Sequence, residues 1–490
     1  MASPNCWRCL LRPSIATRGP ARTYIPMTAI LPPTTTSAAI PSLAHPFSTT
    51  TPANAAAVKV SRPGVHQRLG KRMKLAKFKN KKQITRPKTP AQGERKAMRK
   101  RIVLSNNNAV RVENMPRMDE KRLASPESAG KVFKIPEVPI DQLRKVEAFK
   151  SSQTWHLFHS PHMLVRPETV KVCSQMLKAA EEGTTARMVI AGDKGAGKSM
   201  VLLQAMVNAF MNKWIVINIP EAQELTTACT DYGPIPGTEP QQWMQPTYAL
   251  RLMASIKEAN KGVLDTIYTT RSYEDFTNPV VEGATLSTLI ESAREADQAW
   301  PVFSALWYEL FSVKADLDGK ARPPILFSLD GLGYIMRTSD YRSQAFEPIH
   351  SHDIAIVRMF TDVLSGKTAL PNGGAVIGAT CRSNAARNAS LELAINRQLA
   401  RQAGDELPPR DPYCRKYDAR VDEVLEDTGL HVVNVKGISK PEARALMEYW
   451  AASGLLRARV DETTVSEKWM TGGNGIIGEM ERVGLLTLRV

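Results

Sequence analysis

The first 93 residues of this 490-residue chain contain no aspartate and no glutamate, yet they carry 16 lysines and arginines. The first acid is Glu94, and up to Arg101 the count is 21 basic side chains to one acidic. The other 389 residues hold 44 basic and 47 acidic side chains, so the formal charge of +17 belongs wholly to the N-terminal part. A uniformly basic body is thereby excluded. Long apolar runs are lacking too. The richest, Met200–Met211, falls short of the ~20 residues that cross a bilayer, so no membrane insertion is expected. Cysteine is sparse and scattered (Cys6, Cys9, Cys173, Cys229, Cys381, Cys414), which excludes a disulfide framework and favours a reducing compartment. Cys6-x-x-Cys9 has no second pair at the spacing of a structural zinc site.

What is present begins with the leader. Residues 1–55 are rich in Ala, Ser, Thr and Pro and punctuated by Arg8, Arg12, Arg18 and Arg22, the composition of a mitochondrial presequence. Over 56–131 an extended basic tail is expected, with charge in blocks from Lys71-Arg72 to Arg99-Lys100-Arg101. Such a stretch buries too little apolar surface to fold alone, and its cations suit an RNA phosphate backbone. From Val132 the texture becomes that of a folded body. Four short apolar runs, Arg187–Ala191, Trp214–Ile219, Pro324–Leu329 and Ala375–Ala379, read as buried parallel strands separated by helices. The expectation is a nucleotide-binding domain over 132–430 and a small helical lid over 431–490. Within the lid, Ser439 and Glu442 form a capping-box pattern.

The strongest motif is Gly192-Asp193-Lys194-Gly195-Ala196-Gly197-Lys198-Ser199, which fits G-x-x-x-x-G-K-[ST] between a strand and a helix opening at Met200. The glycines let successive N–H groups turn inward around phosphates, and Lys198 reaches the β- and γ-phosphates. The Ser199 hydroxyl ligates Mg²⁺, and the helix adds its positive end. The second half of such a site is an acid closing a buried strand, and Asp330 supplies it. Thr380, at the end of the fourth strand and before Arg382, Ser383 and Asn384, is the candidate γ-phosphate sensor. The fold expected is α/β: a P-loop NTPase of the additional-strand (AAA+/STAND-like) class, with a parallel sheet flanked by helices, a helical lid and a disordered basic tail.

Two features of an active enzyme of that class are missing. Position 331 is Gly where a water-activating Glu is usual, with Glu347 of the following loop the candidate substitute. After the Gly472-Gly473-Asn474 turn stands Ile476-Ile477-Gly478 in place of an arginine, and Arg482 comes later than such an arginine would. The Asn-Lys-x-Asp element of signalling GTPases is absent, so the motifs alone admit ATP as readily as GTP. No catalytic residue is assigned, and hydrolysis is expected to be slow or absent.

Taken together, the chain resembles the death-associated-protein-three family of GTP-binding mitochondrial small-subunit ribosomal proteins, in a fungal form. The resemblance runs from about Val132 to the C-terminus. Arg144–Phe149 through His162–Arg166, the phosphate loop, Trp214–Pro220 and Leu329-Asp330-Gly331 carry it, and Ser151–His156 is more specific than the loop. It implies a structural protein of the small-subunit head, present once per ribosome and not as a homo-oligomer. It would contact small-subunit rRNA and neighbouring mitoribosomal proteins, share in bridges to the large subunit, and hold GTP or GDP with Mg²⁺ largely as a structural ligand. The rival expectation is an active mitochondrial AAA+-type remodelling ATPase. A nucleotide-gated switch is a third.

Overall fold

The computed structural model describes residues 102–486, apart from 316–318, 383–386, 415 and 427–428. The leader, the basic blocks up to Arg101, Cys6, Cys9, Ser383 and Asn384 lie outside the described residues.

The architecture is α/β, built on a parallel five-stranded sheet. Strands β1 (Thr185–Gly192), β2 (Ile215–Ile219), β3 (Ile325–Asp330), β4 (Gly374–Ala379) and β5 (Leu430–Val435) lie in the order β5–β1–β4–β3–β2. Alternate side chains serve two separate cores. Val189, Ile217, Phe327 and Val376 face one layer, whereas Ile190, Val216, Leu326 and Ile377 face the other. Because both faces are covered, each strand reads as a nearly unbroken apolar run.

Helices α1 (Pro167–Glu181) and α2 (Lys198–Met211) cover the second face. Helices α3 (Pro246–Leu264), α4 (Ala296–Ser312) and α5 (Ala355–Ser365) cover the first. Every α2 residue from Val201 to Phe210 is buried, so this helix shows no polar stripe. The register matters for the site. Ala379 of β4 pairs with Ile190 of β1 and with Asp330 of β3, which brings three strand ends to one rim. In open parallel sheets, ligands bind at that carboxyl-end rim.

Two boundaries differ from the sequence reading. Residues 430–435 are the edge strand β5 and not part of the lid, because the β-branched run Val432-Val433 is covered on both sides of the sheet. The stretch 102–131 is not all extended tail. Leu104, Met118 and Leu123 are buried against the α1–α2 layer, anchors spaced too widely to give a periodic signal.

The lid comprises α6 (Lys440–Ala452), α7 (Glu462–Thr471) and α8 (Ile477–Glu481). As the sequence suggests, α6 opens on a capping box, with the Ser439 N–H donating to Glu442 Oε2 at 2.7 Å. The lid has its own core, in which Met447, Trp450 and Met480 meet Val132, Phe158 and Leu164. Val132 and Leu164 belong to an antiparallel strand pair of the N-terminal extension and face the lid, whereas Phe133 and Met163 of the same pair face the α1–α2 layer, so the extension bridges the two. No helix among the described residues is long and apolar enough to cross a membrane.

Candidate nucleotide site

The loop between β1 and α2 is held open by backbone angles that side chains disfavour: φ is 147° at Gly192, 78° at Gly195 and 101° at Gly197. At Gly192 a Cβ would stand 2.3 Å from the Val435 carbonyl oxygen, so the close approach of β5 also requires glycine. Behind the loop, buried Arg166 donates to the carbonyls of Ala196 (2.8 Å) and Lys436 (2.7 Å) and pairs with Glu168 at 3.0 Å. In front, the lid closes on it directly, through the Gly478 N–H donating to Gly195 O at 3.0 Å. The Lys198 ammonium curls back to the carbonyls of Gly192 (3.0 Å) and Asp193 (2.7 Å). Burial lowers its pKa, so an incoming anion would relieve a cation short of solvent.

At the C-terminal end of β3, buried Asp330 meets the start of α2. The Ser199 hydroxyl donates to Asp330 Oδ2 at 2.7 Å. Lys150, from the segment preceding the strand at His162, brings its ammonium to both groups. It is ion-paired to Asp330 and lies 3.3 Å from Ser199 Oγ. A hydroxyl and a carboxylate converging under a cation form the hard-oxygen donor set that Mg²⁺ shares with phosphates and water. The residues present therefore fit that ion, and Lys150 occupies its place electrostatically. Nothing in the sequence links position 150 to position 330.

Lys150→Met should leave the Asp330 carboxylate, 6% exposed, without its cation. With Lys150 itself 32% exposed, we expect a loss of about 1–2 kcal/mol, below the 3–5 kcal/mol of a fully buried pair. Denaturant melts should recover that loss on addition of millimolar Mg²⁺ with a nucleoside diphosphate. A variant as stable as wild type without ligand would refute this role.

The loop and rim open on a cavity of about 910 Å³. Lys194, Gly195, Gly197, Lys198, Ser199 and Met200 line it, as do Asp330 and Thr380. Gly192, Asp193 and Ala196 shape the loop without lining the cavity; Asp193 pairs instead with Arg382 at 2.9 Å. Thr380 is buried, and its hydroxyl donates to Ile190 O at 3.2 Å. Gly331 takes φ 96°, and a Cβ there would sit 3.3 Å from the Tyr334 ring and 3.5 Å from Ala222. The turn thus selects against glutamate at that position. Glu347 is exposed on the turn between strands 338–342 and 348–350 and does not line the cavity. Across from the phosphate loop the wall comes from residues the sequence did not single out for the site: Gln153, Trp155, Tyr449 and Glu481. Arg482 is also there, exposed and paired with Glu479 at 2.9 Å.

Residues 163–483 match the family described as mitochondrial ribosomal death-associated protein 3. The chain belongs to that family. It is 47% identical over 490 residues to the small ribosomal subunit protein mS29 of Neurospora crassa, covering the whole of both chains. It is 23% identical over 358 residues to the mS29 protein of Schizosaccharomyces pombe, covering 71% of this chain and 70% of that one. Membership in the mitochondrial ribosomal death-associated protein 3 family makes this a ribosomal protein of the mitochondrion. The family match takes in Gly192–Ser199, Asp330, Thr380 and α8 but starts after Lys150 and Gln153, which the full-length similarity spans.

Proposed function

We propose that this chain is a structural constituent of the head of the mitochondrial small ribosomal subunit, holding a guanine nucleotide with Mg²⁺ as a structural ligand. The observation that carries the nucleotide reading is the convergence of Lys198, Ser199 and Asp330 at the strand-end rim, where a cation already lies on the last two. The strand order supports the additional-strand P-loop class, since β4 stands between the strand ending in the loop and the strand ending in Asp330. When bound, Mg²⁺ would be held by Ser199 and Asp330 and would neutralise phosphate charge.

A structural role is favoured over turnover. Gly331 leaves no carboxylate beside the attacking position, and the hydroxyl of Thr380 is engaged with Ile190. The lid meets the phosphate loop through Gly478 and Gly195, so a nucleotide between them would fasten lid to body without being consumed. The acid-free segment before Glu94 suits rRNA phosphates, and the exposed lid and body surfaces are left to protein neighbours and intersubunit bridges.

The test is mass spectrometry of nucleotide released from native protein across a sucrose gradient of mitochondrial lysate. GTP or GDP co-migrating with the small subunit, one per subunit, is the expected result. ATP or ADP on a free, hexamer-sized peak would overturn it in favour of a remodelling ATPase.

A further inference from the structure

Guanine selectivity needs a reader, and no Asn-Lys-x-Asp element provides one. The chemistry of the base says what to look for. Guanine's pairing edge offers two adjacent donors, N1–H and the 2-amino group, beside one acceptor; adenine offers an acceptor at N1. A carboxylate takes both guanine donors at once and repels adenine N1, so a buried acid in the base end of the cavity would discriminate between them.

Glu481, half-buried on the cavity wall, is the acid so placed. It closes α8, three residues after Gly478, whose N–H is bonded to the phosphate loop. Residues three apart share a helix face, so Glu481 lies on the side that faces the loop. It lines the same cavity as Lys198 and Ser199. Beside it the segment 150–155 is pinned by Gln153, whose Oε1 accepts from Trp155 Nε1 at 2.7 Å and from the Lys150 N–H at 2.9 Å. Trp155, Tyr449 and Trp450 supply apolar wall nearby, which suits a planar base. Among the described residues Glu481 has no salt-bridge partner, whereas its neighbour Glu479 is paired with Arg482. Burial pushes the Glu481 carboxyl up to about 7, against a lowering hydrogen bond from Thr154. An acid this short of donors gains most from a ligand that brings two.

We propose that Glu481 is the guanine-reading residue of the nucleotide cavity, its carboxylate accepting from N1–H and the 2-amino group. This rests on the nucleotide reading above and extends it to the base.

Affinities of the purified full-length protein for GDP, IDP, XDP and ADP, each with Mg²⁺, test it. Hypoxanthine lacks the 2-amino group, so wild type should bind IDP roughly 10-fold or more weakly than GDP, and ADP more weakly still. Glu481→Gln presents an amide that matches xanthine, whose C2 carries a carbonyl. This variant should lose GDP by roughly 30-fold or more and gain XDP, reversing the preference. A gain cannot come from misfolding. If the variant fails to fold, the wild-type comparison of IDP with GDP decides the matter alone. Equal affinities for GDP and IDP, or an unchanged preference in Glu481→Gln, would overturn the assignment while leaving the phosphate site standing. Failure of wild type to bind any of the four would overturn the nucleotide reading and this inference together.

Discussion

Glu309→Ala is expected to destabilise the protein by about 3–5 kcal/mol, the cost of leaving one member of a buried ion pair alone. Glu309 on α4 and Arg322 are 0% and 3% exposed at the side chain and meet at 3.0 Å. The carboxylate also accepts from the Thr270 N–H and hydroxyl and from the Tyr273 hydroxyl, each at 3.0 Å. Arg322 in turn donates to the carbonyls of Glu309 and Tyr268. The pair thus ties α4 and the loop around residue 270 to the stretch entering β3. Burial, then the Glu309 charge, raises the Tyr273 phenol above its ordinary range. Because β3 ends at Asp330, loosening its entry should also weaken the nucleotide site. Urea melts should show Glu309→Ala and Arg322→Ala equally damaged. The double change to Glu309→Met with Arg322→Met should regain much of the loss, since no buried charge then remains. A single variant within 1 kcal/mol of wild type would show that solvent reaches this pair.

Much of the frame was legible because it rests on local signals. Strands β1 to β4 declare themselves as apolar runs, and Gly192–Ser199 declares a strand, a loop and a helix in eight residues. Asp330 could be named because its strand ends in the only kind of residue that completes such a loop. The edge strand β5 was hidden, since His431 and Asn434 interrupt its apolar run and a capped helix follows closely. Leu104, Met118 and Leu123 were hidden for another reason: isolated anchors in a charged stretch carry no period. The far wall of the cavity was the least legible. Lys150 reaches Asp330 across 180 positions, and Glu481 reaches the phosphate-loop cavity from the last helix, so tertiary packing alone brings them there.

Lys198→Ala should abolish nucleotide retention whatever the base, which separates it from Glu481→Gln. In the structure Lys198 satisfies two loop carbonyls, at Gly192 and Asp193, while burial opposes its charge. Losing two such bonds costs about 1 kcal/mol each, partly offset by removing a desolvated cation. Nucleotide-stripped variant and wild type should therefore unfold at similar denaturant concentrations. The difference should emerge on adding Mg²⁺ with GDP. At a hundredfold excess over Kd, a ligand that binds only the folded state stabilises it by about 2.7 kcal/mol, and the variant should gain none of this. Both proteins should be purified and their released nucleotide weighed by mass spectrometry before the melts. A variant that retains nucleotide at wild-type levels, or gains the same stability from it, would mean that the loop does not hold phosphate.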